Sequence, residues 1–280
     1  MNPFYLGKFN MTSRLHHTVA GGLLFIATIS AAISSGVLAA GLTAQQIFER
    51  SASAEKVADW QADSTLEIRQ GERARVRSGL VYNKLQSNAV DSHRLFRFNI
   101  PADVAGTAVL VHENAASQDD LWIYFPSMAK TRRILASNKK DSFMGSDFAY
   151  ADLMAQSSKN FKHTLLPDEA CGDTRCYVVQ SLPRDEKTAA SLGYSKLIAS
   201  IRQNNFSTVQ IRYFDRNGKE FKRQLISDYV AAAGEPGKFV ATRREMTSAK
   251  NGRSSLLILK NVTTGRSLRS EMFIESRLGQ

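Results

Sequence analysis

The chain has 280 residues, with 37 Lys and Arg against 26 Asp and Glu and a formal charge of +11. Such a surplus favours acidic partners such as anionic lipid, a membrane surface or nucleic acid, while basic residues spread along the whole length also read as solvated faces that aid solubility. Two cysteines and five histidines leave little material for a metal centre or a thiol catalyst.

Lys8, Arg14, His16 and His17 precede an apolar run at 20–33 (AGGLLFIATISAAI), which gives way to small residues and Val37-Leu38-Ala39. That order is a secretory signal peptide: a basic start, a short apolar middle and small residues at the cut. Cleavage is expected after Ala39 or Ala40, and Met11 is an alternative start to Met1. Gly, Ser and Thr dilute the run below the roughly 20 apolar residues of a bilayer span, so a retained anchor is the weaker alternative. No cysteine stands at the cut to carry a lipid. Residues 1–39 are therefore read as signal and 40–280 as a single domain, which is long enough to close one all-β core. The signal removes Lys8 and Arg14 and no acid. The remaining chain is still basic, but an exported protein seldom meets nucleic acid, and none is expected as a partner.

Thr43 is a suitable N-cap for a helix through TAQQIFERSASAEKVADW, with Ile47, Phe48 and Val57 as its apolar stripe. Beyond residue 60 a period of two takes over and predicts strands at 65–70, 75–82, 94–100, 108–113, 121–125, 132–136, 175–181, 194–202, 239–246, 255–262 and 271–277. In RLFRFNI, Phe96, Phe98 and Ile100 share a face. LWIYF at 121–125 is apolar at every position, so this strand is either covered on both sides or lines an apolar hollow on one.

The stretch DSFMGSDFAYADL at 141–153 gathers aromatic residues around glycine and three aspartates. A short helix is expected from Ser146 or Asp147 through FAYADLMAQ, with Asp147 as its cap and Asp152 in an exposed first turn. The spacing of Asp141, Asp147 and Asp152 fits no EF-hand loop. Further on, Cys171 and Cys176 flank a Gly-Asp turn in ACGDTRCYVV; in an oxidising compartment they are close enough to bridge, and so short a loop adds little global stability. The clearest hairpin is STVQIRYFDRNGKEFKRQLISDYV, where Val209, Ile211 and Tyr213 share a face and Asp215 to Gly218 supply the turn.

Catalytic chemistry is hard to assemble. His93, His112 and His163 lack metal-ligand spacing, GYSKL at 193–197 lacks the closing glycine of a nucleophile elbow, and no βαβ pattern could hold one. The chain is not expected to be an enzyme or to hold a cofactor or metal.

The segment DLWIYFPSMAKTRRILASNKKDSFMGSDFAYADL (120–153) resembles the LolA-like periplasmic proteins of outer-membrane lipoprotein sorting. The resemblance is to the branch with a W-x-Y-x-P strand (Trp122, Tyr124, Pro126), a basic strand ending R-R-I (Arg132, Arg133, Ile134) and an S-F-M-G-S-D-F box at 142–148. FNIPADVAGTAVLVHE (98–113) and YFDRNGKEFK (213–222) also resemble that branch. The resemblance implies a mainly β, half-open antiparallel β-barrel, with a few short helices lidding a concave apolar face that shields acyl chains. It further implies a periplasmic carrier of lipid or lipoprotein cargo, associated with an RND-type inner-membrane transporter and an outer-membrane acceptor.

On that reading the cavity candidates are Phe96, Phe98, Trp122, Tyr124, Val209, Ile211 and Tyr213. The lid candidates are Phe143, Met144, Gly145, Phe148, Tyr150 and Leu153. Arg132 and Arg133 point to opposite faces, one toward a headgroup or partner and the other toward an internal aspartate. A monomer is expected. The alternative is a non-transport binding or structural module at the outer membrane or on an exporter, with 141–153 as a fixed core plug.

Overall fold

The computed structural model describes residues 41–249 and 252–280; the expected signal segment, its cut and the choice between Met1 and Met11 lie outside them. The described chain opens with helix α1 (Ala44–Ala54), started by a capping box in which Thr43 Oγ1 accepts from the Gln46 amide at 3.2 Å and Gln46 Oε1 accepts from the Thr43 amide at 2.9 Å. Ala44, Ile47, Ser51 and Ala54 fall on the buried stripe. The helix stops at Glu55, so Val57, expected on its stripe, is buried in the loop that follows.

Strands make up most of the rest: β1 (Asp59–Gln70), β2 (Arg73–Leu85), β3 (Ser92–Ile100), β4 (Ala108–His112), β5 (Asp120–Phe125), β6 (Lys130–Ile134), β7 (Phe161–Cys171), β8 (Thr174–Pro183), helix α2 (Glu186–Leu192), β9 (Lys196–Arg202), β10 (Thr208–Phe214), β11 (Glu220–Ala231), β12 (Phe239–Ser248) and β13 (Ser254–Thr264). They form one antiparallel sheet in the order β6-β5-β4-β3-β2-β1-β13-β12-β11-β10-β9-β8-β7. Two meanders are thus joined where β1 pairs with β13, and the sheet stays open between the edges β6 and β7. This is the mainly β, half-open antiparallel architecture that the family resemblance implies. Among the described residues no helix is long and apolar enough to cross a membrane.

Alternation decides which residues face the hollow. On β3, β4 and β5 the side chains of Phe96, Phe98, Val109, Val111, Leu121 and Ile123 join the large concave core, together with Ile47 and Val57. Their neighbours Leu95, Ala108 and Leu110 point the other way and make a second, smaller core with Phe273 and Leu278. The strand expected at 271–277 is absent: 3-10 turns at Ser270–Phe273 and Glu275–Arg277 instead lay the segment across the convex face. His112 Nε2 meets the Phe273 carbonyl at 2.8 Å, Arg97 donates to the Leu278 carbonyl at 3.1 Å, and Lys84 donates to the Leu268 carbonyl at 2.9 Å.

Two turns follow the expected chemistry. Between β10 and β11, Asp215 Oδ1 accepts from the Asn217 and Lys219 amides, and Gly218 takes φ +75°. Between β7 and β8, Cys171 and Cys176 form a disulfide with Cα atoms 5.6 Å apart. The helix expected from 146 does not form; the segment holds only two 3-10 turns, Phe143–Gly145 and Tyr150–Leu153, with Met144 and Gly145 both at positive φ.

Candidate functional site

A cavity of about 190 Å³ lies between the concave sheet, α1 and residues 151–156. Trp60 from β1, Val81 from β2, Phe96 from β3, Ile211 and Tyr213 from β10, Ile226 from β11 and Leu257 from β13 give it an apolar wall, and Phe48 of α1 faces them. Thr208 also lines it, fixed by a 2.7 Å hydrogen bond to Ser51 of α1.

Charged groups share this wall in compensated sets. Glu55 pairs with Arg244 at 2.5 Å and Lys56 with Glu113 at 2.5 Å. Burial pushes the Glu113 carboxyl up, but Arg94 and Lys56 outweigh it and hold the group below the usual range. Burial lowers the Arg94 guanidinium, partly opposed by Glu113, while for Arg244 the neighbouring Glu55 overcomes burial and raises it. Asp152 and Lys222 pair at 2.5 Å with side chains only 1% and 9% exposed.

The 141–153 segment sits inside the concave core. Phe143, Phe148, Tyr150 and Leu153 are buried there, and Met144 is packed against them. Phe143 meets Phe96 at 5.2 Å and Tyr150 at 5.6 Å between ring centroids, both edge-on. Burial pushes the Tyr150 phenol up to about 12. Polar tethers hold the backbone: Arg77 donates to the Met144 carbonyl, Arg253 to the Gly145 carbonyl at 2.7 Å and Arg94 to the Leu153 carbonyl at 2.5 Å. Ser255 donates to Asp147 at 2.7 Å, and the Ala155 amide donates to Glu113 at 2.7 Å. Asp147 is therefore a tether and caps no helix, and Asp152 is buried where an exposed position was expected.

Of the residues singled out for the cavity, Phe96, Ile211 and Tyr213 line it. Phe98 lies on the same sheet face but packs against Phe143, 6.1 Å between rings. Trp122 and Tyr124 do not reach the hollow: Leu121 and Ile123 hold the concave positions of β5, which turns its aromatic pair onto the convex core. The all-apolar strand is covered on both sides. Val209 is displaced by a register shift between Thr208 and Gln210, which puts Thr208 on the wall in its place. Ile100, expected beside Phe98, is 61% exposed.

Arg132 and Arg133 lie on β6 outside the cavity. Arg133 pairs with Asp120, none of the three aspartates of the 141–153 segment, and Arg132 is exposed near Met128. Sequence reading missed Arg94, Arg244 and Gln224; each stands among polar neighbours in its strand and is inward only because of its place in the alternation.

A family model described as "Uncharacterized protein" matches residues 90–280. No curated protein matches the sequence. Among solved structures, a domain from Vibrio parahaemolyticus described as an outer membrane lipoprotein-sorting protein is 25% identical, with 84% of this chain and 98% of that one covered and a TM-score of 0.77. A DUF1329 family protein from Desulfovibrio piger is similar in fold at 23% identity, 84% and 97% coverage and a TM-score of 0.76. A LolA superfamily protein from Nitrosomonas europaea shares the fold at 20% identity, 84% and 98% coverage and a TM-score of 0.63.

Proposed function

We propose that this chain, which belongs to the family whose model matches residues 90–280 and is LolA-like in fold, is an extracytoplasmic carrier that shelters the acyl chains of a lipid or a lipidated protein on their way toward the outer membrane. The observation that carries the reading is the apolar hollow left under α1 and residues 151–156 in a sheet whose concave face is otherwise filled with side chains. Transfer of apolar surface from water contributes about 25 cal/mol per Å², enough to hold an acyl chain without a covalent step. The disulfide fits an oxidising compartment.

The hollow is smaller than the roughly 300–1,000 Å³ of sites that take drug-sized ligands. Loading a lipid therefore requires residues 141–156 to give way, with acyl carbons replacing Phe143, Phe148 and Leu153 against the sheet. Gly145 is the pivot of that lid, and Met144 covers its edge. The exposed basic strand β6, with Arg132 at its free edge and Arg133 beside it, is the surface for a headgroup or for a loading transporter of the RND type, and an outer-membrane acceptor completes the path.

Native mass spectrometry of the protein purified gently from a periplasm, followed by organic extraction, tests the reading. A discrete mass surplus that extracts as lipid is the expected result. A bare chain that stays bare after incubation with lipid extract refutes it, and leaves 141–153 as a permanent plug in a non-transport module.

A further inference from the structure

The cavity wall holds more positive charge and more hydrogen-bond donors than its own acceptors use. Lys56, Arg94 and Arg244 line the cavity with Glu55 and Asp152, and Glu113 and Lys222, which do not line it, pair with groups that do. Arg244 takes Glu55, Lys222 takes Asp152, and Lys56 and Arg94 share Glu113. One positive charge of this set is left without a carboxylate of its own. Arg94 donates through Nε to Asn83 at 3.2 Å and through Nη1 to the Leu153 carbonyl at 2.5 Å, and shares Glu113 with Lys56. Gln224 is fully buried; its Oε1 accepts from the Tyr213 hydroxyl at 3.2 Å, and its Nε2 has no partner among the described residues. Arg94, Gln224, Tyr213 and Arg244 all line the one hollow, and Arg244 interacts electrostatically with both Arg94 and the Tyr213 phenol.

A hydrocarbon tail would leave these groups as they are, and a buried donor without an acceptor is a standing cost to the fold. An oxyanion removes both deficits: it supplies the missing negative charge and accepts several N–H groups in short, charge-assisted bonds, for which a guanidinium is the best-shaped donor. We infer that the cavity binds its amphiphile with a fixed polarity, seating an oxyanion head, a carboxylate or a phosphate ester, against Arg94, Arg244 and Gln224 with the apolar chain along Trp60, Phe96 and Leu257. A cavity of about 150 Å³ admits a benzene ring; the hollow of about 190 Å³ thus takes such a head and a short length of one chain before residues 141–156 move. This inference rests on the carrier reading above and names its ligand class.

Calorimetric titration of protein expressed from the full-length sequence, with dodecanoate, dodecyl phosphate and dodecanol below their micelle concentrations, separates the two. Carboxylate or phosphate binding at least about tenfold tighter than the alcohol is expected, and the stronger of the two anions identifies the head. Arg94→Gln is expected to abolish the preference and Gln224→Leu to reduce it about threefold, whereas Lys187→Gln, on the exposed face of α2 outside the cavity, leaves it unchanged. Equal affinity for all three probes overturns the oxyanion site and leaves the carrier intact. No binding of any probe overturns the carrier and the site with it. A preference that survives both cavity variants puts the anion on the basic surface and overturns the assignment. Because Arg94 also tethers Leu153, the wild-type comparison and Gln224→Leu decide the matter if Arg94→Gln fails to fold.

Discussion

Removing the Asp152 carboxylate is expected to unbalance the core more than any other single change to a charge. The carboxylate accepts from Lys222 at 2.5 Å and from the Ala149 amide at 2.7 Å, and its side chain is 1% exposed. In Asp152→Ala the Lys222 ammonium would remain where it is, 4.5 Å from the Tyr213 ring centroid and 9% exposed, without the one carboxylate that pairs with it among the described residues. Breaking one side of a buried pair costs about 3–5 kcal/mol, against about 0–1 kcal/mol for a solvent-screened pair. With a urea m-value of about 3 kcal/mol/M, the midpoint should fall by about 1–1.7 M. Equilibrium urea unfolding followed by tryptophan fluorescence reads this directly. The double variant Asp152→Ala/Lys222→Met, which removes both charges, is expected to recover most of the loss. A single-variant cost below about 1 kcal/mol would refute the reasoning, because it would mean that water reaches the pair.

A methyl group at position 79 would stand 1.8 Å from the Arg97 carbonyl oxygen. Gly79→Ala is therefore expected to destabilise by about 1–3 kcal/mol or more through a forced shift between β2 and β3, and an unchanged melting temperature would show that the register shift there relaxes freely. His93 stacks on His112 at 3.6 Å under the C-terminal segment; burial, with His112 adding, brings it down to about 4 despite the opposing Asp91 and Glu113. Its unfolded value is about 6.5, so the unfolded chain binds the extra proton between these values and stability is lost as pH falls from about 6.5 toward 4. Melting curves from pH 7.5 to 5 should slope less for His93→Gln, and parallel curves would refute the assignment. The Cys171–Cys176 loop is so short that Cys171→Ser/Cys176→Ser should cost about 2 kcal/mol or less in chemical denaturation, and a collapse of the fold would contradict this.

How far the sequence could be read depended on what each residue type has to signal. Alternation put Phe96 and Phe98 on one face, because β3 keeps a regular register as far as Phe98, whereas the shift that follows leaves Ile100 exposed. Alternation could not tell which aromatic residues of β5 face the hollow, because Leu121-Trp122-Ile123-Tyr124 is apolar on both faces and only the C-terminal cover decides the matter. Val209 was lost to a register shift, which leaves no trace in composition. The strand β7 was missed because Pro167 and its polar neighbours lower the strand signal. The 271–277 segment was read as a strand because Met272 and Ile274 alternate, whereas Phe273 is the residue that it buries. Inward Arg94 and Arg244 look like the solvent side of amphipathic strands, since local sequence cannot show a charge neutralised by a carboxylate distant in the chain.

An unclosed sheet presents two rows of backbone groups that could template another molecule, and a chain that is not to aggregate has to keep both from growing. On β6 the row is only five residues long and carries Lys130, Arg132 and Arg133, so a second copy brought edge to edge would meet its own positive charge. On β7 the pairing is broken between Leu166 and Glu169 around Pro167, and the end is pinned by the disulfide. The seam can thus stay open without becoming a polymerisation front, and resistance to edge-to-edge growth is built into the same two strands that leave the sheet unclosed.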